Sequence, residues 1–552
     1  MVKSGLYTKE IMEHFKNPKN VGRIKNPSGL GRAGNMVCLL PNQNIHINND
    51  LKEIDRIFPG KRVLSHDGEY NKVNKVSERN YNGDVLIIKN KLGKIQLTPD
   101  HLILAVKLPK GDKFLRTKNK KQLISGWYHA ENLKRGDIIL YPILKEEKDC
   151  KYIKVNVSKS KWDFKSKDIP DKIPIDSNLL RLFGYFLSEG NVRDKPSRTF
   201  ISFTLNIKEK DIVKDIKKIS ENLFNLNIAI KEIPKKQTVV VNLYNARLAR
   251  FFKRLFGNGA ENKMIPDFIM NLLPERQKSL IYGLWRGDGY INLNRVGPRA
   301  GYSTISYKLA QQIKILLLRQ KIIPSIYKEK AKKIRGLKHK EAYRIHVGQR
   351  DSLKRLALIL GVKYHPKSYV SERGWLDKNF LYTPITGIVK KQYQGKVYNL
   401  EVESSHSFTS EAFCVHNCGD IMYLYLKIGK NKSGKEMIKD VKFETFGCTV
   451  AIANTSLLTT MVKGKTLEEA AKITKEDLIK KFKQVPLIKI HCSLLAVDAL
   501  SEAIYDYFSK QGRPISPEIQ AKHERIEKEE KEIEYKHKGL VELEEELHKN
   551  EK

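Results

Sequence analysis

The chain has 552 residues, 40% of them hydrophobic and 30% charged, with a formal net charge of +41. That length exceeds a single hydrophobic core and predicts several domains. No apolar run is long enough to span a bilayer, and the opening MVKSGLYTKEIMEHF lacks the apolar centre of a secretion signal, so a cytoplasmic protein with no membrane partner is expected.

Six cysteines in so long a chain exclude a disulfide framework, and the charge excess predicts a polyanionic partner, because Lys and Arg release counterions condensed on phosphates. In chain order, TKEIMEHFKNPKN reads as a short helix closed by Asn-Pro, followed by a Gly-rich loop through Gly34. From Cys38 the texture becomes short alternating runs with Asp-Gly, Asn-Gly and Leu-Gly corners, which predict an all-β module. A polar, lysine-rich connector is expected near 150–175. Residues 176–375 mix helical patterns such as SYKLAQQIKILLLRQ with strands such as QTVVVNLYN. The β texture resumes at GIVKKQYQGKVYNLEV and ends at Asn417, and two strands and then helices follow. In the tail Ile519, Ile526, Ile533, Leu540 and Leu547 fall seven apart, but the intervening positions are mostly charged, which predicts a solvated charged helix rather than a coiled coil.

Four places carry a first chemistry. Cys38 opens the β module; LGKIQLTPDHLILAV holds Thr98 and His101 as T-x-x-H; VYNLEVESSHSF supplies His406; and His416-Asn417-Cys418 closes it. In this order and in this texture the segment resembles an intein. The resemblance implies that the Cys38 sulfur attacks the Val37 carbonyl, a step that needs a good nucleophile and a distorted amide. It also implies that Thr98 and His101 contact that peptide, that Cys418 takes the acyl group, and that Asn417 cyclises with help from His416 and His406. No cofactor is implied for splicing. Asn399 stands where many inteins have Asp; a neutral amide cannot act as a base, so this departure bears on the order and speed of the middle steps.

Inside this element LFGYFLSEG (182–190) and IYGLWRGDG (281–289) are alike. Both resemble the LAGLIDADG homing-endonuclease signature. The resemblance implies two helices in close contact through Gly184 and Gly283, with Glu189 and Asp288 presenting carboxylates that hold Mg²⁺ at scissile phosphates. ENKMIPDFI resembles a further block of that family and makes Lys263 the expected active-site lysine. The basic segments KEKAKKIRGLKHK and KEIPKKQ are expected to track DNA backbone, and the implied target is double-stranded DNA of the uninterrupted host allele.

With 38–417 removed, the flanks join as GNMV-CGDIMYLYL. MEHFKNPKNVG, CGD, FETFGCTVAIANTSLL and IKIHCSLLAVDAL then resemble a NifU/IscU-type iron–sulfur scaffold. The resemblance implies a cluster held by Cys418, Cys448 and Cys492, with Asp420 and His491 as harder ligands for iron or zinc. It also implies a cysteine desulfurase and acceptor apoproteins as partners. VPLIKIHC departs from the Leu-Pro-Pro-Val-Lys chaperone loop of bacterial IscU.

The expected architecture is multidomain. A scaffold of α+β class is split over 1–37 and 418–516, and an all-β Hint-type splicing domain is split over 38–165 and 376–417. An α/β LAGLIDADG endonuclease domain occupies 166–375, and a charged helical tail 517–552. Two other readings stay open: a scaffold carrying a degenerate, endonuclease-inactive insert, and a protein that is chiefly a DNA-cleaving enzyme.

Overall fold

The strand Gly29–Gly34 pairs antiparallel with Ile421–Lys430, Gly34 standing opposite Ile421, so the two sides of the long insert are neighbours in one sheet. This computed structural model describes residues 8–34, 37–108, 125–159, 166–195, 198–294, 297–334, 337–365, 374–417, 421–431, 433–446, 449–482 and 490–534. Ile421–Lys430 pairs in turn with Glu436–Phe446. The core over this sheet draws Ile11 and Ala33 from the first flank and Met422, Leu424, Val450 and Leu500 from the second.

The stretch expected as a Gly-rich loop is therefore a strand from Gly29 on. Its glycines are required by packing: a Cβ at Gly29 or Gly31 would overlap the carbonyl oxygens of Ala503 and Ala499 on the helix Ile490–Lys510. The helix crosses the strand at backbone contact, which only glycine permits.

The opening helix forms as expected over Lys9–Lys16, with Thr8 capping the Ile11 N–H. The tail forms the helix Pro517–Glu534. It is docked rather than solvated, because Ile519 and Ile526 are each 6% exposed and the His523 ring stacks 3.5 Å from Tyr505 with Nδ1 3.0 Å from Glu502. The heptad spacing thus serves contact with the host domain. Leu540 and Leu547 lie outside the described residues.

The all-β expectation for the segments after Cys38 and before Asn417 matches two sheets, of six and seven strands. Their spine is the long antiparallel pair Tyr70–Lys89 and Gly387–Val402, running from Lys89 opposite Gly387 to Val73 opposite Val402. Asp67-Gly68 forms a corner, Gly68 taking φ +83°. Asn82-Gly83 does not: the strand continues through it, paired with Gln394 and Tyr393, because the partner strand supplies a ladder that outweighs the local turn preference.

The inserted body is a structural duplication. Its first half runs from the helix Ser177–Glu189 through two strands, the helix Lys210–Phe224, two more strands and the helix Ala246–Phe256. The second half repeats that series from Pro274–Gly287 to Arg350–Ile359. Each half has a four-stranded antiparallel sheet in which the first two strands pair, the second pairs the fourth and the fourth pairs the third. The mixture of helix and strand expected here is thus realised with antiparallel sheets. The expected polar connector contributes a hairpin, Tyr152–Lys154 with Lys172–Pro174, and Val155, Ile169, Ile173 and Ile175 enter this body's core.

The helix Tyr307–Arg319 is buried on every face because it lies between the duplicated body and the β module. Its Lys314, fully buried, donates to the Glu411 carbonyl, and Tyr307 accepts from Asn44 at 3.1 Å. Among the described residues no helix is long and apolar enough to cross a membrane.

Candidate functional site

The residues at the two ends of the insert converge because the long strand pair draws its chain ends together. Leu39 bridges to both Leu97 and Tyr398, with reciprocal N–H···O bonds of 2.8 Å to Tyr398. Val415 pairs with Ile103. Those contacts bring Cys38, Thr98, His101, Asn399, His416 and Asn417 together, all but Asn417 buried.

Cys38 is fully buried. Its N–H, part of the Val37–Cys38 peptide, donates to Thr98 Oγ1 at 3.1 Å, and its carbonyl accepts from the Thr98 N–H at 3.0 Å. Burial pushes the thiol up to about 11; the Arg79 guanidinium beside it opposes that shift and Asp100 reinforces it. Arg79 also lies 5.3 Å from the Tyr81 ring, which packs with Cys38 and Val397 in a small apolar cluster.

The His101 ring is fully enclosed and faces the backbone of both Cys38 and His416, though neither nitrogen completes a hydrogen bond of normal geometry. Burial pushes its pKa down to about 4, against the opposing pull of Asp100 and of those two backbone segments. At pH 7 it is neutral, so it can donate an N–H but carries no charge.

At the other junction His416 is 3% exposed and its ring meets the edge of Trp127 at 4.8 Å. The Asn417 N–H donates to the His406 carbonyl at 2.9 Å, so His406, in the left-handed region at φ +49°, meets the junction through its backbone. The Asn417 carbonyl accepts from Asn399 Nδ2 at 3.3 Å. Arg79 and Trp127 were not expected from sequence. Nothing local marks Arg79; only the pairing of its strand with 387–402, Arg79 opposite Val397, sets it beside Cys38.

The second constellation forms where the two motif helices cross. A Cβ on Gly184 would come within 2.7 Å of the Gly283 Cα, and one on Gly283 within 2.9 Å of the Gly184 Cα, so the pair packs backbone to backbone. Ser188 Oγ donates to the Leu284 carbonyl at 2.9 Å and ties the helix ends together. Glu189 is the last residue of its helix and Asp288 caps the other.

Lys263 is 8% exposed, donates to the Ser188 carbonyl at 2.7 Å and interacts with both acids. Burial, with Asp288 and Glu209 adding negative charge, raises Glu189 to about 7 against the pull of Lys263. Burial raises Asp288 as well, again opposed by Lys263, and lowers Lys263 itself to about 8. Two hard oxygen donors crowded with too little positive charge suit a divalent cation. Among the described residues no group of three or more His, Cys, Asp or Glu is arranged to hold a metal.

The segment KEIPKKQ caps the hairpin joining Ala229–Ile233 to Thr238–Leu243, and KEKAKKIRGLKHK spans the equivalent connection of the second half. The two basic runs are thus related by the duplication. Of the expected cluster ligands, Cys418, Asp420 and Cys448 lie outside the described residues. His491 and Cys492 belong to the helix Ile490–Lys510, their side chains outside the description.

Comparison with known proteins gives two family matches, to the NifU-like N terminal domain over residues 399–514 and to the LAGLIDADG-like domain over 275–361. An uncharacterized protein of Methanocaldococcus jannaschii is 30% identical over 451 residues, 75% of this chain and 54% of that one. Iron-sulfur cluster assembly scaffold protein IscU 1 of Archaeoglobus fulgidus is 50% identical over 96 residues, 17% of this chain and 60% of its own. The chain therefore spans less than two thirds of either relative. Among solved structures, mesophilic variants of the homing endonuclease I-DmoI align at 14% identity and TM-score 0.27, covering 34% of this chain and 98% of theirs.

Proposed function

We propose that this chain, which joins a NifU-like N-terminal domain to a LAGLIDADG domain, is a precursor that excises residues 38–417 and joins Val37 to Cys418. The observation that carries this reading is a double convergence. The host flanks are sheet neighbours with Gly34 opposite Ile421, while Cys38 and the His416-Asn417 junction face one histidine, His101.

In the first step the S–C bond forms at the Val37 carbonyl and the C–N bond to Cys38 breaks. The thiol proton ends on the departing Cys38 nitrogen, whose N–H is already held by Thr98 Oγ1. Cys418 then exchanges thioester for thioester. Asn417 Nδ2 attacks its own carbonyl, the Asn417–Cys418 bond breaks, and an S-to-N shift leaves an ordinary peptide. A neutral His101 suits these steps because each moves a proton without creating lasting charge.

The product is read as a scaffold on which an iron–sulfur cluster is built from sulfur delivered by a cysteine desulfurase and passed to acceptor apoproteins. The excised piece is read as a DNA endonuclease. Glu189 and Asp288 would hold Mg²⁺, which supplies electrostatic stabilisation of the attacked phosphate and an activated water. Lys263 interacts with both acids, and the paired basic hairpins would follow the DNA backbone. The intact acids and buried lysine favour this over a degenerate insert.

A time course of purified precursor followed by mass spectrometry tests the central reading. Two products are expected, residues 38–417 and the fused flanks, and the double variant Cys38→Ala, Asn417→Ala is expected to remain full length. A wild-type precursor of unchanging mass overturns it. Incubation with Mg²⁺ and DNA encoding the fused GNMV–CGDIMY junction tests the nuclease; DNA left intact overturns that part alone.

A further inference from the structure

Asn399 is 5% exposed and its amide orientation is set by its neighbours. Its Oδ1 accepts the Leu400 N–H at 2.9 Å, which leaves Nδ2 as the end directed at the Asn417 carbonyl, 3.3 Å away. That carbonyl carbon is the one Asn417 attacks in the last cleavage, and its oxygen is where negative charge develops. The Asn417 backbone is held from its other side by the bond from its N–H to the His406 carbonyl.

We propose that Asn399 is a catalytic residue of the C-terminal cleavage, an oxyanion donor for Asn417 cyclisation, rather than a group that serves the Cys38 thiol. The assignment rests on the splicing reading. The new bond joins Asn417 Nδ2 to its carbonyl carbon, with Asn399 Nδ2–H donating to the oxyanion. Collapse breaks the bond to the Cys418 nitrogen, which takes the proton lost by the attacking amide. A donor aimed in advance at developing charge costs no reorganisation when the charge appears. A carboxylate at this position would face the same oxygen with its own lone pairs and oppose the step. The Asn found here therefore suits the second junction for the reason that it fails as a base at the first.

The test separates the two junctions in the full-length chain. In a Cys38→Ala background only cleavage after Asn417 is read; in an Asn417→Ala background, thiol-induced cleavage at Val37–Cys38 reports thioester formation. Asn399→Ala is expected to slow the first on the order of 10²–10³-fold and to leave the second within about threefold, which also shows that the pocket still folds.

Asn399→Asp is expected to be slower still at neutral pH. It should recover toward the parent as acid protonates the new carboxyl and restores an O–H donor. His101, His406 and His416 lie near this junction in every variant, so each rate is divided by that of Asn399→Ala at the same pH. Cleavage after Asn417 at parental rate in Asn399→Ala, or an Asp-to-Ala ratio that does not change with pH, overturns the assignment while thiol cleavage continues to support splicing. Absence of both cleavages in the two unsubstituted backgrounds overturns splicing and this role together.

Discussion

The pocket around Cys38 and the acidic centre both bury reactive groups and push them toward their neutral forms, but they differ in how much opposite charge resists that push. Around Cys38 and Asn417 burial drives groups to their neutral forms: the His101 pKa falls to about 4 and the Cys38 thiol rises to about 11. At the crossing of the motif helices, Glu189, Asp288 and Lys263 share one buried site, and each opposite charge holds its partner nearer the ionised form. Rearranging a peptide bond demands alignment and proton transfer with no lasting charge. Hydrolysing a phosphodiester demands a site that gathers positive charge against an anion.

This contrast can be broken most severely at His101. His101→Ala is expected to slow thiol-induced cleavage at Val37–Cys38 on the order of 10²–10⁴-fold, with the precursor still folded by circular dichroism. Retained speed would mean that the ring only fills space. At the acidic centre Asp288→Asn should lower DNA cleavage by several kcal/mol, roughly three orders of magnitude, without touching splicing.

Gly184→Ala sharpens the comparison structurally. It is expected to cost about 1–3 kcal/mol of stability to denaturant, because a methyl must enter a backbone contact. The mildest expected kinetic change is that of Arg79→Gln, about tenfold slower thioester formation with the rate profile displaced to higher pH, since a cation beside the thiol has been removed.

Stability against pH offers a final test. Folded Glu189, raised to about 7 from 4.5, keeps its proton where the unfolded carboxyl has lost it. Its contribution is therefore present at low pH and is lost as pH rises between those values. Glu189→Gln should raise the thermal midpoint at pH 8 by a few degrees and leave it unchanged at pH 4.

Much of the placement was legible from local strings. The T-x-x-H run and the terminal His-Asn pair come together, the two glycine-bearing motif helices cross at Gly184 and Gly283, and the helix Lys9–Lys16 follows its capping residue. What was misread depended on distant partners. The glycines of 29–34 look like a loop until a helix is seen to press its carbonyls against them. Asn82-Gly83 looks like a turn until the opposite strand is seen to run past it. The tail looks solvated until Ile519 enters the core of the flanking domain and Ile526 is found buried.

Sequence by itself determined which reactive atoms the chain possesses and that its middle is duplicated, because residue identity and spacing decide what bonds a group can make. Only the tertiary structure decided that Arg79 stands by the thiol and that Asn399 turns its amide to the second junction. Those placements follow from strand register across a long insert, and one residue of slip would send both side chains to the opposite face.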